Sequence, residues 1–363
     1  MDARQREREA SARVGSLVGG KYRLMSVLGV GGMGAVFSAV HQFTDRTVAL
    51  KLLHPHLAGE VNVQRFLQEA KASALIDHPR VAQVLDAGED GAGGLYLAME
   101  HLQGQDLGAR IRAGQTPPAL MLEVGIQVLE ALEAAHAKGL VHRDIKPANL
   151  FLVDAPDGKV DARVLDFGVA RRLDPAARRL TQAGGVVGTP YFMSPEQMCG
   201  EAVDGRTDLW ALGVVLFYGL AGILPFRNES YVDLLKDMLR VGPASLQIAQ
   251  PELDPRLAVA VEVALAPKIE DRYPDAASMR AALEAVRSRR LDHLEQATLR
   301  MAERQERTIE DTPRAPTPDA PPRWAGALDA LEDEIRALED RRPTTAPSPE
   351  STSRPWWPFG RRR

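Results

Sequence analysis

The sequence predicts an α+β protein of two lobes, a small β-rich lobe followed by a larger, mainly helical one. Strand-like segments cluster early, from Tyr22 through Ala35–Val40 to Val48–Lys51, with glycines between them. Apolar residues at helical spacing dominate later, from Met121 to Lys138, and an uncharged run covers Leu209–Phe226. A chain of 363 residues with 45% hydrophobic content is long enough to bury both cores.

Charge and cysteine content narrow the function. A net charge of −4 supplies no basic field, so nucleic acid is not an expected partner. The single cysteine, Cys199, rules out an intrachain disulfide framework and suits a reducing compartment, so a cytoplasmic location is expected. The opening MDARQREREASAR mixes arginines with acids and lacks the apolar core of a secretory signal. Residues 1–21 are therefore expected to form a solvated arm. Leu209–Phe226 is long enough for a membrane span, yet it carries three glycines and sits between functional motifs. The expectation is a helix buried on all sides.

The first element with chemistry is LGVGGMGAVFSAV, residues 28–40. Gly29, Gly31 and Gly34 let a strand hairpin lie close over phosphates and offer backbone N–H groups to them. The same spacing opens a dinucleotide-binding fingerprint, but that requires a helix directly after the glycines. Here Ala35–Val40 continues as a strand, and Lys51 ends the next apolar run, where it can hold phosphate as a point charge. A lysine in such a cleft needs a carboxylate partner. Glu69 is the candidate, on a helix across 63–76 whose Phe66, Ala70, Ser73 and Ala74 share a face and which stops before His78-Pro79. Glu60 is its rival, and pairing of Glu69 with Arg65 on a solvated face is the alternative use.

The densest chemistry lies in HRDIKPAN, residues 142–149, followed by Asp166-Phe167-Gly168. Asp144 can orient a hydroxyl and accept its proton, and Lys146 can balance charge on a migrating phosphoryl group. Asn149 and Asp166 supply oxygen ligands for a divalent cation. Any one of these residues alone reads as a turn former or cap; the ordered set reads as a phosphoryl-transfer site.

With the glycine loop, VALK at 48–51, HRDIKPAN, DFG at 166–168 and MSPEQ at 193–197 in this order, the chain resembles the eukaryotic-type protein kinase superfamily, specifically its bacterial serine/threonine kinases. The resemblance runs from about Tyr22 to Arg287. It implies the two-lobed protein kinase fold, with a small lobe over 22–100 and a large lobe over 104–287. It also implies transfer of the γ-phosphoryl group of ATP to Ser or Thr of protein substrates, with magnesium as the ion and manganese as an alternative. Under it, backbone groups near Glu100 and Leu102 bond the adenine edge, Asp106 lies near the ribose and Met99 guards the back of the pocket. Leu28, Val36, Ala49 and Phe151 sandwich the base; ordinary core packing is the other reading of those four. Lys51 holds the α and β phosphates, oriented by Glu69.

The resemblance also gives roles to the long segment after DFG. Arg143 is expected to receive a phosphate on Thr181, with autophosphorylation as the switch, and Thr189 to bond near Asp144 and Lys146 and favour Ser/Thr substrates. Glu196 is expected to pair with Arg272, and Asp208 to cap the backbone of the catalytic loop, with a simple helix cap as its alternative. A kinase-like scaffold without catalysis would show loss of the lysine, an acid or a metal ligand, and none is missing.

Beyond Arg287 the signals change. Residues 288–308 are charged and helix-compatible, 309–323 form a proline-rich linker, and 324–342 carry Trp324, Leu328, Leu331, Ile335 and Leu338 at heptad spacing. That stripe suits weak homodimerisation, a docking partner or a solvated helix. The tail over 343–363 is disordered by composition, yet Trp356, Trp357 and Phe359 beside three arginines suit peripheral contact with an anionic membrane or a protein groove.

Overall fold

A computed structural model of the chain describes residues 3–31, 34–53, 70–71, 73–90, 94–154, 160–167, 190–228 and 230–288. Contacts group Met1–Pro318 as one compact unit and Asp319–Arg363 as another, and the second lies wholly outside the described residues. The expected linker, heptad helix and tail therefore lie outside them, as does the extension past Ser288.

Among the described residues, six strands build the small lobe: β1 (Leu17–Val18), β2 (Tyr22–Val30), β3 (Gly34–His41), β4 (Thr47–Leu53), β5 (Val84–Glu89) and β6 (Leu95–Glu100). They form one antiparallel sheet in the order β1-β2-β3-β4-β6-β5. The two-residue period of a strand decides which side chains are buried. In β4, Val48, Leu50 and Leu52 are at most 3% exposed and join Phe37 and Leu24 in the core, while Ala49 and Lys51 project from the opposite face. The sheet curls until its two edges meet. Asp86 on β5 accepts hydrogen bonds from Lys21 (3.0 Å), Tyr22 (3.0 Å) and Tyr96 (3.1 Å), which ties the start of β2, beside the β1 edge, to the β5 edge.

The amino terminus is not the solvated arm that its composition suggests. Ala3–Ala12 form a helix, α1, whose Ala10 is 4% exposed and packs in the small-lobe core with Val18 and Tyr22. Arg13 then pairs with Asp90 at 2.9 Å, and the backbone of Gly15 and Ser16 bonds Leu24. One buried alanine among arginines and glutamates leaves no apolar stripe, so the docking had no sequence signature.

The large lobe opens with β7 (Gly104–Asp106), α2 (Leu107–Arg112) and α3 (Pro118–His136), and β7 pairs with the hairpin of β8 (Leu150–Asp154) and β9 (Val160–Val164). α3 ends before Gly139, which takes a left-handed φ of 71°. On α3, Gln127 donates to the Val160 carbonyl and accepts from the Ala162 amide, so its side-chain amide stands in for a neighbouring strand along β9. After α4 (Pro195–Cys199), the uncharged run becomes α5 (Arg206–Ala221), in which Leu209, Trp210, Leu212, Val214, Val215, Leu216 and Phe217 are at most 1% exposed. It is buried on all sides as expected, but it stops short of Phe226 because Gly222 turns left-handed, with φ 71°. No described helix is long and apolar enough to cross a membrane. Among the described residues, four further α-helices follow in this lobe: α6 (Tyr231–Lys236), α7 (Leu246–Ala249), α8 (Pro255–Ala264) and α9 (Ala276–Ser288).

Among the described residues, two neighbouring ties between the lobes lie close to Glu100. One is the coil that follows β6 at Glu100. The other is the segment before β5, where Val81 forms a parallel bridge with Val164, and Arg80 pairs with Glu130 at 3.2 Å and Asp161 at 2.6 Å.

Candidate active site

The cleft face of the small lobe follows from strand alternation. Val36 lies opposite Lys51, Ala49 opposite Met99, and Gly29 opposite Val36, so the residues expected around a nucleotide share one side of the sheet. Leu28 is 52% exposed at its rim. The three glycines differ in what they permit. A Cβ on Gly29 would meet open space, whereas one on Gly34 would fall 1.9 Å from the Leu52 carbonyl oxygen. Gly34 is therefore required for β3 to pair with β4, and the Gly31 amide closes the loop on the Gly34 carbonyl at 2.8 Å.

Across the cleft, Lys51 Nζ lies 2.9 Å from Asp166 Oδ2. The burial of Asp166 would by itself raise its pKa, but the Lys51 charge and hydrogen bond outweigh it and hold the carboxyl below its ordinary value. Asp166 also sits at φ 48°, and Arg143 at φ 65°; with Asp45 these are the non-glycine residues with left-handed backbone among those described. Such conformations cost about 1–2 kcal/mol each and persist where the surroundings over-determine them.

Those surroundings are visible around 142–149. Asp208, fully buried in the first turn of α5, accepts from the amide of His142 at 2.8 Å, the amide of Arg143 at 2.7 Å and His136 Nε2 at 2.8 Å. It caps the catalytic loop rather than its own helix, whose N-cap is Gly205. His142 is buried and accepts the Asp144 amide on Nδ1 at 3.2 Å, which puts its proton on Nε2, 2.9 Å from the Leu165 carbonyl. Its ring lies 4.8 Å from that of Phe167, a residue with no exposed surface. The loop thus grips the backbone that carries Asp166, and the Leu165 amide closes on the Asn149 carbonyl at 2.8 Å.

Within the loop, Asp144 Oδ2 lies 2.6 Å from Lys146 Nζ, and Asn149 donates its side-chain amide to the Asp144 carbonyl at 2.7 Å. With its nitrogen directed at Asp144, Asn149 presents its amide oxygen on the other side, and that oxygen with Asp166 is the kind of ligand pair a hard cation takes beside nucleotide phosphates. Among the described residues no group of three or more His, Cys, Asp or Glu stands together.

At the far end, Glu196 pairs with Arg272 through both carboxylate oxygens, at 2.8 and 2.9 Å, and accepts from Thr207 at 2.7 Å. Burial would raise the Glu196 pKa; hydrogen bonds from Arg272 hold it below the ordinary range. The guanidinium stacks 4.8 Å over Trp210 of α5. Behind the cleft, Glu100 donates its amide to the Gln83 carbonyl and accepts the Gln83 amide on its side chain, and Leu102 lies in the coil after β6. Asp106 caps α2 through the Ala109 amide at 2.9 Å, and Phe151 stands opposite it on β8. Glu60, Glu69, Thr181 and Thr189 lie outside the described residues. Reading the sequence passed over His136, His142, Thr207 and Gln197; nothing in their spacing reveals partners 11 to 72 positions away.

A curled antiparallel lobe whose lysine meets an aspartate from a helical lobe, over a buttressed HRD loop, defines a protein kinase, and the comparisons agree. The family model described as "Protein kinase domain" matches residues 22–310, and the chain belongs to that family. The match runs past the expected end at Arg287. Among its relatives, serine/threonine-protein kinase Pkn1 of Myxococcus xanthus is 43% identical over 73% of this chain and 38% of its own. Serine/threonine-protein kinase pkn3 of the same organism is 38% identical over 77% of this chain and 52% of its own. The chain thus spans about half the length, or less, of these curated relatives. The crystal structure of the Mycobacterium tuberculosis PknI kinase domain, 29% identical, superposes with a TM-score of 0.59 over 75% of this chain and 98% of that one.

Proposed function

We propose that this chain transfers the γ-phosphoryl group of ATP to serine or threonine hydroxyls of proteins in bacterial signalling. The observation that carries the reading is the 2.9 Å contact of Lys51 with Asp166, which joins the phosphate-facing sheet to the metal-facing loop. In this reading Lys51 holds the α and β phosphates, and Val36, Ala49 and Phe151 enclose the base. Asn149 and Asp166 would hold magnesium, which neutralises charge on the phosphates when bound. Lys146 lies beside Asp144 and offsets charge near the transferring group, while Asp144 orients the hydroxyl and takes its proton. The rate comes mainly from positioning and fixed charge.

Regulation follows in the same reading. The Nε of Arg143 is buried with no hydrogen-bond partner among the described residues, which suits receipt of a phosphate carried by Thr181. Incubation with Mg-ATP and mass-spectrometric mapping tests both points. Phosphate on Thr181 of the wild type and none on Asp166→Ala is expected; wild-type incorporation by Asp166→Ala would overturn the assignment. A cytoplasmic location, with weak dimerisation or peripheral membrane contact through 324–363, is part of the proposal. Fractionation and sedimentation of the full chain against one ending at 308 test it.

A further inference from the structure

Arg143 is the residue before the proposed base, and its left-handed backbone is clamped from both sides. Its amide donates to Asp208, as described; its carbonyl accepts from Gln197 Nε2 at 3.0 Å. Gln197 belongs to α4, directly after Glu196, and is 8% exposed. Its other amide atom is also committed, because Oε1 accepts the Ser194 amide at 3.1 Å in the capping box that opens α4. The two partners fix the orientation of the amide, since only oxygen can accept from the Ser194 N–H and only nitrogen can donate to the Arg143 carbonyl. Adjacent residues of α4 therefore face in two directions: Glu196 fastens the helix to Arg272, and Gln197 carries that fixed point to the peptide bond between Arg143 and Asp144.

We propose that Gln197 is a positioning residue for Asp144, holding the 143–144 peptide in its left-handed approach and making the base's placement depend on α4 being seated. This rests on the reading of Asp144 as the group that takes the hydroxyl proton. A single buried donor to a strained peptide is enough to matter, because displacement of a reacting group by about 1 Å can cost 100-fold in rate.

Gln197→Glu is the discriminating change, since it keeps the acceptor for the Ser194 amide and, when ionised, replaces the donor to Arg143 by an oxygen that repels its carbonyl. At pH 8, with the new carboxyl ionised, kcat is expected to fall about tenfold or more while KM for ATP moves less than about twofold. Lowering the pH protonates that carboxyl, restores a donor and narrows the deficit relative to wild type. Ser194→Ala, which weakens the cap and leaves the donor, is expected to keep kcat near wild type. In an Arg143→Gly background, where a positive φ carries no strain, the deficit from Gln197→Glu is expected to shrink to threefold or less. If Gln197→Glu does not fold by circular dichroism, Gln197→Met read against Ser194→Ala serves in its place. Wild-type kcat in the Gln197 variant, or an equal loss in both backgrounds, sinks the positioning role, provided that Asp144→Asn is inactive. Turnover by Asp144→Asn at the wild-type rate would instead overturn the reading of the site.

Discussion

Replacing Asp208 by asparagine isolates what the catalytic loop owes to α5. The change keeps shape and removes charge. The carboxylate serves three donors, two on Oδ2 and one on Oδ1. An amide oxygen can retain the pair formed by His142 N–H and His136, but the new NH2 must then face the Arg143 N–H, donor against donor. The loss is one charge-assisted hydrogen bond, about 1.5–3 kcal/mol, plus a buried unsatisfied donor, about 1–3 kcal/mol. Together these come to roughly 2.5–6 kcal/mol, which a domain near the middle of the ordinary stability range, about 5–15 kcal/mol, survives in folded form. Urea titration followed by circular dichroism reads that shift in the midpoint. Kinetics should show kcat down about 100-fold as the base moves, with KM for ATP nearly unchanged because Asp208 touches no residue of the sheet. A variant within about 0.5 kcal/mol of wild type and within twofold in kcat would refute the claim that Asp208 sets the loop.

Three further outcomes are expected. Gly34→Ala drives its Cβ into the Leu52 carbonyl, so β3 must separate from β4 and KM for ATP should rise several-fold, with thermal stability falling as well. For Glu196, the folded pKa is depressed below the unfolded value of about 4.3, so its stabilisation is complete above that value and is lost as pH falls through the folded one. Melting temperatures of wild type and Glu196→Gln should therefore differ most at neutral pH and converge on acidification below about pH 4; a constant difference contradicts the linkage. Asp86→Asn weakens the seam that closes the sheet, and hydrogen exchange should accelerate at β2 and β5 while α5 is unchanged.

The site was legible where chemistry demands particular residue types close together. HRDIKPAN, the lysine closing the apolar run of β4 and the uncharged run that begins at Leu209 are all local patterns, and the lysine lies on a strand and the run in a buried helix as expected. Residue pairs joined only by the fold were harder. Glu196 with Arg272 and Asp208 with the catalytic loop were anticipated through family resemblance, not spacing. Gln197, His136 and Asp86 were missed, because a single polar residue shows nothing of its partner until the chain brings the two together. The α1 helix failed for a related reason: Ala10 and Arg13 anchor it, and neither stands out among the arginines and acids around them. The end of α5 was misjudged at Phe226 although Gly222 was in view, since a glycine inside an apolar run has no fixed meaning without its φ.

The non-covalent tie just before Gln83 and the chain crossing after Glu100 carry a mechanical consequence. Two bodies joined by a single flexible point can swivel in any direction, whereas two joined at a pair of points can turn only about the line between them. Here the points are neighbours, laced by the Gln83 and Glu100 amides, and the first is riveted to the large lobe through Val81 and Arg80. These two neighbouring ties would favour rotation of the small lobe about the line between them over other directions. Lys51 and Asp166 meet away from that line, so a rotation about it would break their contact first.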